Sequence, residues 1–129
     1  MTEAEVSRVM REHLEGLFPR DCPNCHRQFA TLRDYLLITK HVGPALSYDA
    51  DLNDWNPPKP LGTITCTNCP CGNTLALSSE GIPLLRLWSL LNWARAETQE
   101  RQMTPQELLN YLRGEICKQV LNAPGQGML

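Results

Sequence analysis

The chain lacks a long hydrophobic run, lacks any block of like charge, and is poor in aromatic residues. Its longest apolar stretch, Ile82 to Leu91, is broken by Pro83, Arg86 and Ser89, far short of the ~20 apolar residues that cross a bilayer as a helix. No membrane association is expected. Lysine and arginine number 12 against 14 acidic residues, for a formal net charge of −2, and neither sign gathers in one segment. A grip on phosphate backbones needs clustered positive charge, so nucleic acid is disfavoured as a partner. Met1-Thr-Glu-Ala-Glu5 is acidic where a secretory signal is basic, and no apolar core follows it. A cytoplasmic protein is expected. No G-x-S-x-G, H-E-x-x-H, P-loop or dinucleotide fingerprint occurs; neither His13 nor His41 has a catalytic partner identifiable in sequence, and His26, next to Cys25, is a neighbour of the cysteine pair or a substitute metal ligand. The expectation is a protein that is not an enzyme. Asp49, Asp51 and Asp54 stand close together without the glycine and terminal glutamate of a calcium loop, which leaves them in a solvated loop.

What is present suffices for one small domain: 129 residues, 42% of them apolar. Thr2 and Glu5 make a capping-box pattern, and Val6, Val9, Met10, Leu14 and Leu17 follow at helical spacing, predicting a helix over about 3–17 that ends before Pro19. Thr31 and Asp34 start a short second helix, to about residue 40, which Gly43-Pro44 stops. Residues 43–60 show no period, and Asn56-Pro-Pro-Lys-Pro60 has polyproline character, so this stretch reads as loop. The β-branched run Leu61–Cys66 and Asn73–Leu77 predict two strands of a hairpin over 61–78. Pro83 opens a helix to about Arg101, and Thr104-Pro-Gln-Glu107 opens another, with Leu108, Leu112, Ile116 and Val120 on one face. These two form a C-terminal αα-hairpin over 82–122, and 123–129 reads as a flexible tail. The predicted class is α+β, with 1–122 as one domain: a helical and knuckle part (1–42), a loop, a β-hairpin and flanking helices.

Six cysteines in a cytoplasmic protein point to metal or redox chemistry instead of a disulfide framework. Cys22-x-x-Cys25 is paired, over forty residues later, with Cys66-x-x-Cys69-x-Cys71-Gly72. A tight gap lets two thiolates converge on one tetrahedral ion at about 2.3 Å, with turn amides donating to sulfur. The second half offers three cysteines for two positions. Cys66 and Cys69 have the commoner spacing, but Pro70 supplies no N–H; Cys69 and Cys71 end in Gly72, which accepts a positive φ. The favoured set is Cys22, Cys25, Cys69 and Cys71, with Cys66 as the alternative ligand. Each half resembles a zinc knuckle of the zinc-ribbon group, Cys22-Pro-Asn-Cys25 matching the C-P-x-C form, over roughly 20–30 and 62–77. At His26 that pattern usually has glycine. The resemblance implies a zinc-ribbon-like hairpin holding one Zn2+ per chain. Four thiolates leave no open position, so the metal is expected to be structural; the same sulfurs also suit a single iron.

Three function classes follow. The first is a zinc-stabilised regulatory or adaptor module acting through protein–protein interaction. The second is a thiol sensor in which Cys66 attacks an oxidised ligand and releases zinc. The third is a nucleic-acid-binding ribbon using Arg20, Arg27 and Arg33 beside the first knuckle. For the first class, the helix after Pro83 is apolar nearly all round and needs cover on more than one side. Leu85, Leu90 and Trp93 are the candidate interaction surface, a homodimer seam or the seat of another protein. Alternatively, the first helix covers them within a monomer.

Overall fold

The computed structural model describes residues 1–47 and 62–122. Most of the expected loop, including the three aspartates and the proline-rich run, and the tail 123–129 lie outside the described residues. Four helices and two small sheets make up the rest: α1 (Glu3–Glu15), β1 (Arg20–Asp21), β2 (Gln28–Phe29), α2 (Leu32–Ile38), β3 (Lys40–Ser47), β4 (Thr63–Asn68), β5 (Thr74–Ser78), α3 (Leu84–Arg101) and α4 (Pro105–Leu121). This is the α+β architecture expected, a small β-hairpin with flanking helices. None of the described helices is long and apolar enough to cross a membrane.

The helices begin where their caps place them. Thr2 and Thr104 each close a full capping box with a glutamate three residues on, and Thr31 accepts the Asp34 N–H. Each such cap supplies partners for amides that the first turn leaves unsatisfied. α3 and α4 are joined by Gln102, in a left-handed conformation, and Met103.

The strand β3 corrects the sequence reading. Residues 40–47 do not end a helix and start a loop; they pair antiparallel with β4, as β4 does with β5, giving the order β3-β4-β5. The register jumps between Val42, opposite Cys66, and Leu46, opposite Ile64. Gly43-Pro44 therefore sits in a bulge, one of the few places a strand accepts proline. The signal that reads as a stop is an irregularity inside a strand. A second pair, β1 with β2, brackets the first cysteine turn.

Both edges of the three-stranded sheet are occupied by side chains. On β5 the Ala76 carbonyl accepts from Arg20 Nη1 at 2.9 Å, and the Ser78 carbonyl accepts from His13 Nε2 at 3.0 Å. On β3 the Ala45 N–H donates to Asn110 Oδ1 at 2.9 Å, and the Gly43 carbonyl accepts from Arg113 Nη1 at 3.2 Å.

α4 runs through two apolar clusters. Its Ile116 and Val120 join Phe29, Leu32, Tyr35, Leu77 and two buried cysteines; its Leu108 and Leu112 join Val6, Val9, Ile82 and Leu90. Burying a side chain of this size is worth about 1.5–3 kcal/mol, so α4 is the strongest link between the halves. Tyr35 meets Phe18 and Phe29 edge-on, each at 5.4 Å between centroids, and its hydroxyl accepts from Thr67 Oγ1.

The second cluster also corrects the expected interaction surface. Leu90 is only 8% exposed, in one cluster with Val6 and Val9 of α1, Ile82, and Leu108 and Leu112 of α4, and half-buried Trp93 packs against that cluster. Of the three, Leu85, at 82%, is open. Leu90 and Trp93 thus belong to a core built by several elements of the chain. Over Trp93 lies the Arg101 guanidinium, 5.8 Å from its ring and 5.5 Å from that of Tyr111. Arg101 Nη2 donates to Glu3 at 2.7 Å and Glu97 at 2.8 Å, and Tyr111 Oη donates to Glu3 at 2.8 Å. Three helices meet at one cation.

Hydrogen bonds from Arg101 and Tyr111 hold the Glu3 carboxyl below the usual carboxylate range. A carboxyl with a depressed folded pKa stabilises the fold above its ordinary value of about 4.3, and that contribution disappears as pH falls through the lower folded value. Glu3→Gln should therefore be less stable than the parent at pH 7, by no more than about 1 kcal/mol because the group is partly solvated. The gap should close below about pH 4. Urea unfolding midpoints of both proteins across that range check this; a gap independent of pH refutes it.

Candidate metal centre

The two cysteine turns are built alike. In the first, between β1 and β2, the Cys22 N–H donates to the Arg27 carbonyl at 2.9 Å, and the His26 N–H returns to the Cys22 carbonyl at 2.8 Å. In the second, between β4 and β5, the Cys69 N–H donates to the Asn73 carbonyl at 2.9 Å, and the Gly72 N–H returns to the Cys69 carbonyl at 2.8 Å. The second turn is one residue shorter. Each closes with a positive φ, +63° at His26 and +94° at Gly72. The first turn thus needs a left-handed residue where this chain has histidine, at a cost of roughly 1–2 kcal/mol relative to a right-handed conformation.

Folding brings Cys22, Cys25, Cys69 and Cys71 together, all four sulfurs within 4.8 Å of one another. The Cys22–Cys71 separation is 3.7 Å and the Cys25–Cys69 separation 3.6 Å. Four sulfurs about 2.3 Å from one tetrahedral ion stand about 3.8 Å apart. The donor set and its spacing fit one Zn2+. Cys66 lies outside the group, in β4 opposite Val42 and Ala76, and Cys117 is half-buried on α4. Cys22 and Cys69 are buried in the aromatic cluster; Cys25 and Cys71 are exposed.

Main-chain and amide donors converge on the sulfurs. The Cys25 N–H, followed by those of Asn24 and the Asn73 side chain, brings Cys22 down to about 6 against the opposing effect of burial. The Asn24 amide, then the Asn73 N–H, lowers Cys71. At Cys69 the Cys71 N–H favours the thiolate, yet burial and the neighbouring sulfurs outweigh it and hold the thiol at about 11. The missing N–H of Pro70 is thus supplied one residue later. Four adjacent thiolates repel one another, and a divalent cation is the species that lets all four ionise.

The side-chain bonds cross between the turns. Asn24 Nδ2 donates to Cys71 at 3.4 Å, and Asn73 Nδ2 donates to Cys22 at 3.6 Å. Each turn thus steadies a ligand of the other. Sequence reasoning passed over both asparagines, although one lies inside the first cysteine pair and the other directly after Gly72. His26 contributes its backbone and is not among the ligands.

The remaining sequence candidates are placed elsewhere. His13 is bonded to Ser78, and His41 lies in β3. Of the three arginines beside the first knuckle, Arg20 donates to the Ala76 carbonyl and Arg33 to the Val120 and Leu121 carbonyls, while Arg27 is exposed.

Compared with protein-family models, with curated proteins and with solved structures, the chain finds no match in any of the three. The site rests on its own geometry: a four-cysteine ligand group of the zinc-knuckle type, able to hold a single structural Zn2+ with no position left for substrate.

Three substitution series test these contacts. Serine at Cys22, Cys25, Cys69 or Cys71 should remove the metal and much of the fold, whereas Cys66→Ser keeps one zinc by native mass spectrometry. Asn24→Ala or Asn73→Ala should keep the metal but weaken its affinity about 10-fold or more, the usual effect of losing an outer partner; competition with a chelator measures it. At the strained turn, His26→Gly should be neutral or stabilising and keep zinc, while His26→Val should destabilise by about 1–2 kcal/mol. A stable, fully loaded His26→Val protein would show that the positive φ carries no cost.

Proposed function

We propose that the protein is a zinc-stabilised adaptor or regulatory module, without catalytic activity of its own, that works in the cytoplasm through contact with another protein. The observation that carries this reading is the closed ligand set, since four sulfurs around one zinc leave it a scaffold. Function then falls to the surface. There, Leu84 and Leu85 open α3 at 46% and 82% exposure, with half-buried Trp88 one turn on. Adjacent exposed apolar side chains of this kind mark association surfaces more often than single ones do. The patch is smaller than the sequence alone suggests, because Leu90 lies in the core cluster and Trp93 packs against it. The near-neutral net charge of −2 supports a protein partner over nucleic acid.

A second reading, a thiol sensor, is supported by the exposure of Cys25 and Cys71 beside Cys69 and Cys22. Peroxide would oxidise Cys25 and Cys69 by two electrons to a disulfide, itself reduced to water, and zinc would leave. Cys66 is not needed for that step. Zinc release by stoichiometric peroxide, followed with a metal indicator, favours this reading over the first.

Leu85→Glu should leave zinc content and melting temperature unchanged, because the side chain is already in solvent. The same substitution should abolish binding of a partner isolated with the parent chain, or dissociate a dimer seen by sedimentation at micromolar concentration. A Leu85→Glu protein that keeps every association of the parent removes the case for this surface.

A further inference from the structure

Four sulfurs can join as two pairs in three ways, and the geometry of the site separates them. Pairing within each turn joins Cys22 to Cys25 and Cys69 to Cys71. The second of these bonds spans Pro70 alone, whose ring fixes φ. That turn is already closed by the Cys69 N–H on Asn73 and the Gly72 N–H on Cys69. A disulfide holds its two Cβ atoms about 3.5–4.5 Å apart and stores strain otherwise, and a turn so short has little freedom to comply. Pairing Cys22 with Cys69 and Cys25 with Cys71 joins the two buried sulfurs to each other, out of reach of an oxidant.

The remaining set is Cys22 with Cys71 and Cys25 with Cys69. These sulfurs are already in contact, at 3.7 and 3.6 Å, and each pair has one exposed and one buried member. The two pairs share no atom. They are opposite edges of one tetrahedron, so closing one leaves the other free to close. Both bonds run between the turns, as the metal does. A cross-link over so long a stretch of chain stabilises a fold by restricting the unfolded state.

We infer that the four cysteines are a staple with two interchangeable forms: zinc-bound when reduced and, once oxidised, metal-free, still folded and held by Cys22–Cys71 and Cys25–Cys69 disulfides. This rests on the thiol-sensor reading for its oxidant, a peroxide, and goes beyond it in the second bond and the surviving fold. The thiolate of exposed Cys25 attacks one peroxide oxygen, the O–O bond breaks, and a sulfenic acid forms as hydroxide leaves. The Cys69 thiolate attacks that sulfur, the S–S bond forms, and the S–O bond breaks to release a second hydroxide. Cys71 and Cys22 repeat both steps with a second peroxide. Four thiolates give up four electrons, two peroxides become four hydroxides, and Zn2+ departs. Cys66 and Cys117 stay thiols.

Two equivalents of hydrogen peroxide, added to the zinc-loaded full chain, test this. A metal indicator follows the zinc, peptide mapping without reductant finds the bonds, and amide NMR reports the fold. The zinc should be freed, the chain should lose four hydrogens in mass, and the bonds should be Cys22–Cys71 and Cys25–Cys69. The dispersed amide signals of β4 and β5 should persist, whereas the chelator-stripped, reduced chain should lose them. Zinc release with a Cys22–Cys25 bond, with Cys66 or Cys117 in a bond, or with loss of those signals overturns the inference and leaves the sensor reading standing. A stripped, reduced chain that keeps the signals also overturns it, because the fold would need neither staple. If peroxide leaves zinc bound, the sensor reading fails and the stripped chain refolded in a glutathione redox buffer decides. The same two bonds in a folded protein then uphold the staple, and any other map or an unfolded product refutes it.

Discussion

The fold depends on four sulfur atoms sharing one coordination sphere. Cysteines 49 and 44 residues apart in sequence are brought to 3.7 and 3.6 Å, and closing so long a loop costs conformational entropy that local hydrogen bonds do not recover. A chain with eight aromatic residues has limited means to offset that cost by burial alone. A structural zinc supplies roughly 10–16 kcal/mol of apparent binding free energy in small peptides, of the order required to hold two hairpin tips together. Placing Cys22 and Cys69 inside the aromatic cluster couples metal and core, so neither is complete without the other.

Around that constraint the chain is organised by α4. Its apolar stripe passes from the cysteine cluster to the cluster under α3, and side chains from its outer positions reach β3 through Asn110 and Arg113. Arg101 performs a smaller version of the same task, tying the start of α1 to α3 and α4 through Glu3, Trp93 and Tyr111. The metal holds one end of the molecule, and this cationic junction holds the other.

Much of this was legible in the sequence because the relevant signals are local. Capping boxes at Thr2 and Thr104 mark helix starts by chemistry confined to four residues, and the cysteine spacings with Gly72 favour the ligand set for the same reason, with only Cys66 left as an alternative until the fold places it outside the group. What escaped reading depends on distant partners. Gly43-Pro44 has the composition of a stop, and only pairing with β4 shows it to be a bulge. Leu90 and Trp93 look surplus on a helical wheel, since nothing within α3 says that a cluster drawing on α1, Ile82 and α4 will include them. Asn24 and Asn73 were visible, but that each serves the opposite turn is a property of the assembled pair. His26 stands between these cases: its departure from glycine is plain in sequence, and its left-handed backbone shows that the turn keeps the shape and tolerates the strain.

The occupied sheet edges have a consequence for how the protein fails. His13 belongs to α1, so the helix whose Val6 and Val9 share a cluster with Leu90 also occupies the Ser78 carbonyl at the rim of β5. An occupied acceptor is one fewer that an edge strand offers to another molecule. Loss of α1 would therefore remove apolar cover and one guarded acceptor together, while the Ala76 carbonyl would stay held by Arg20, next to the first metal-binding turn.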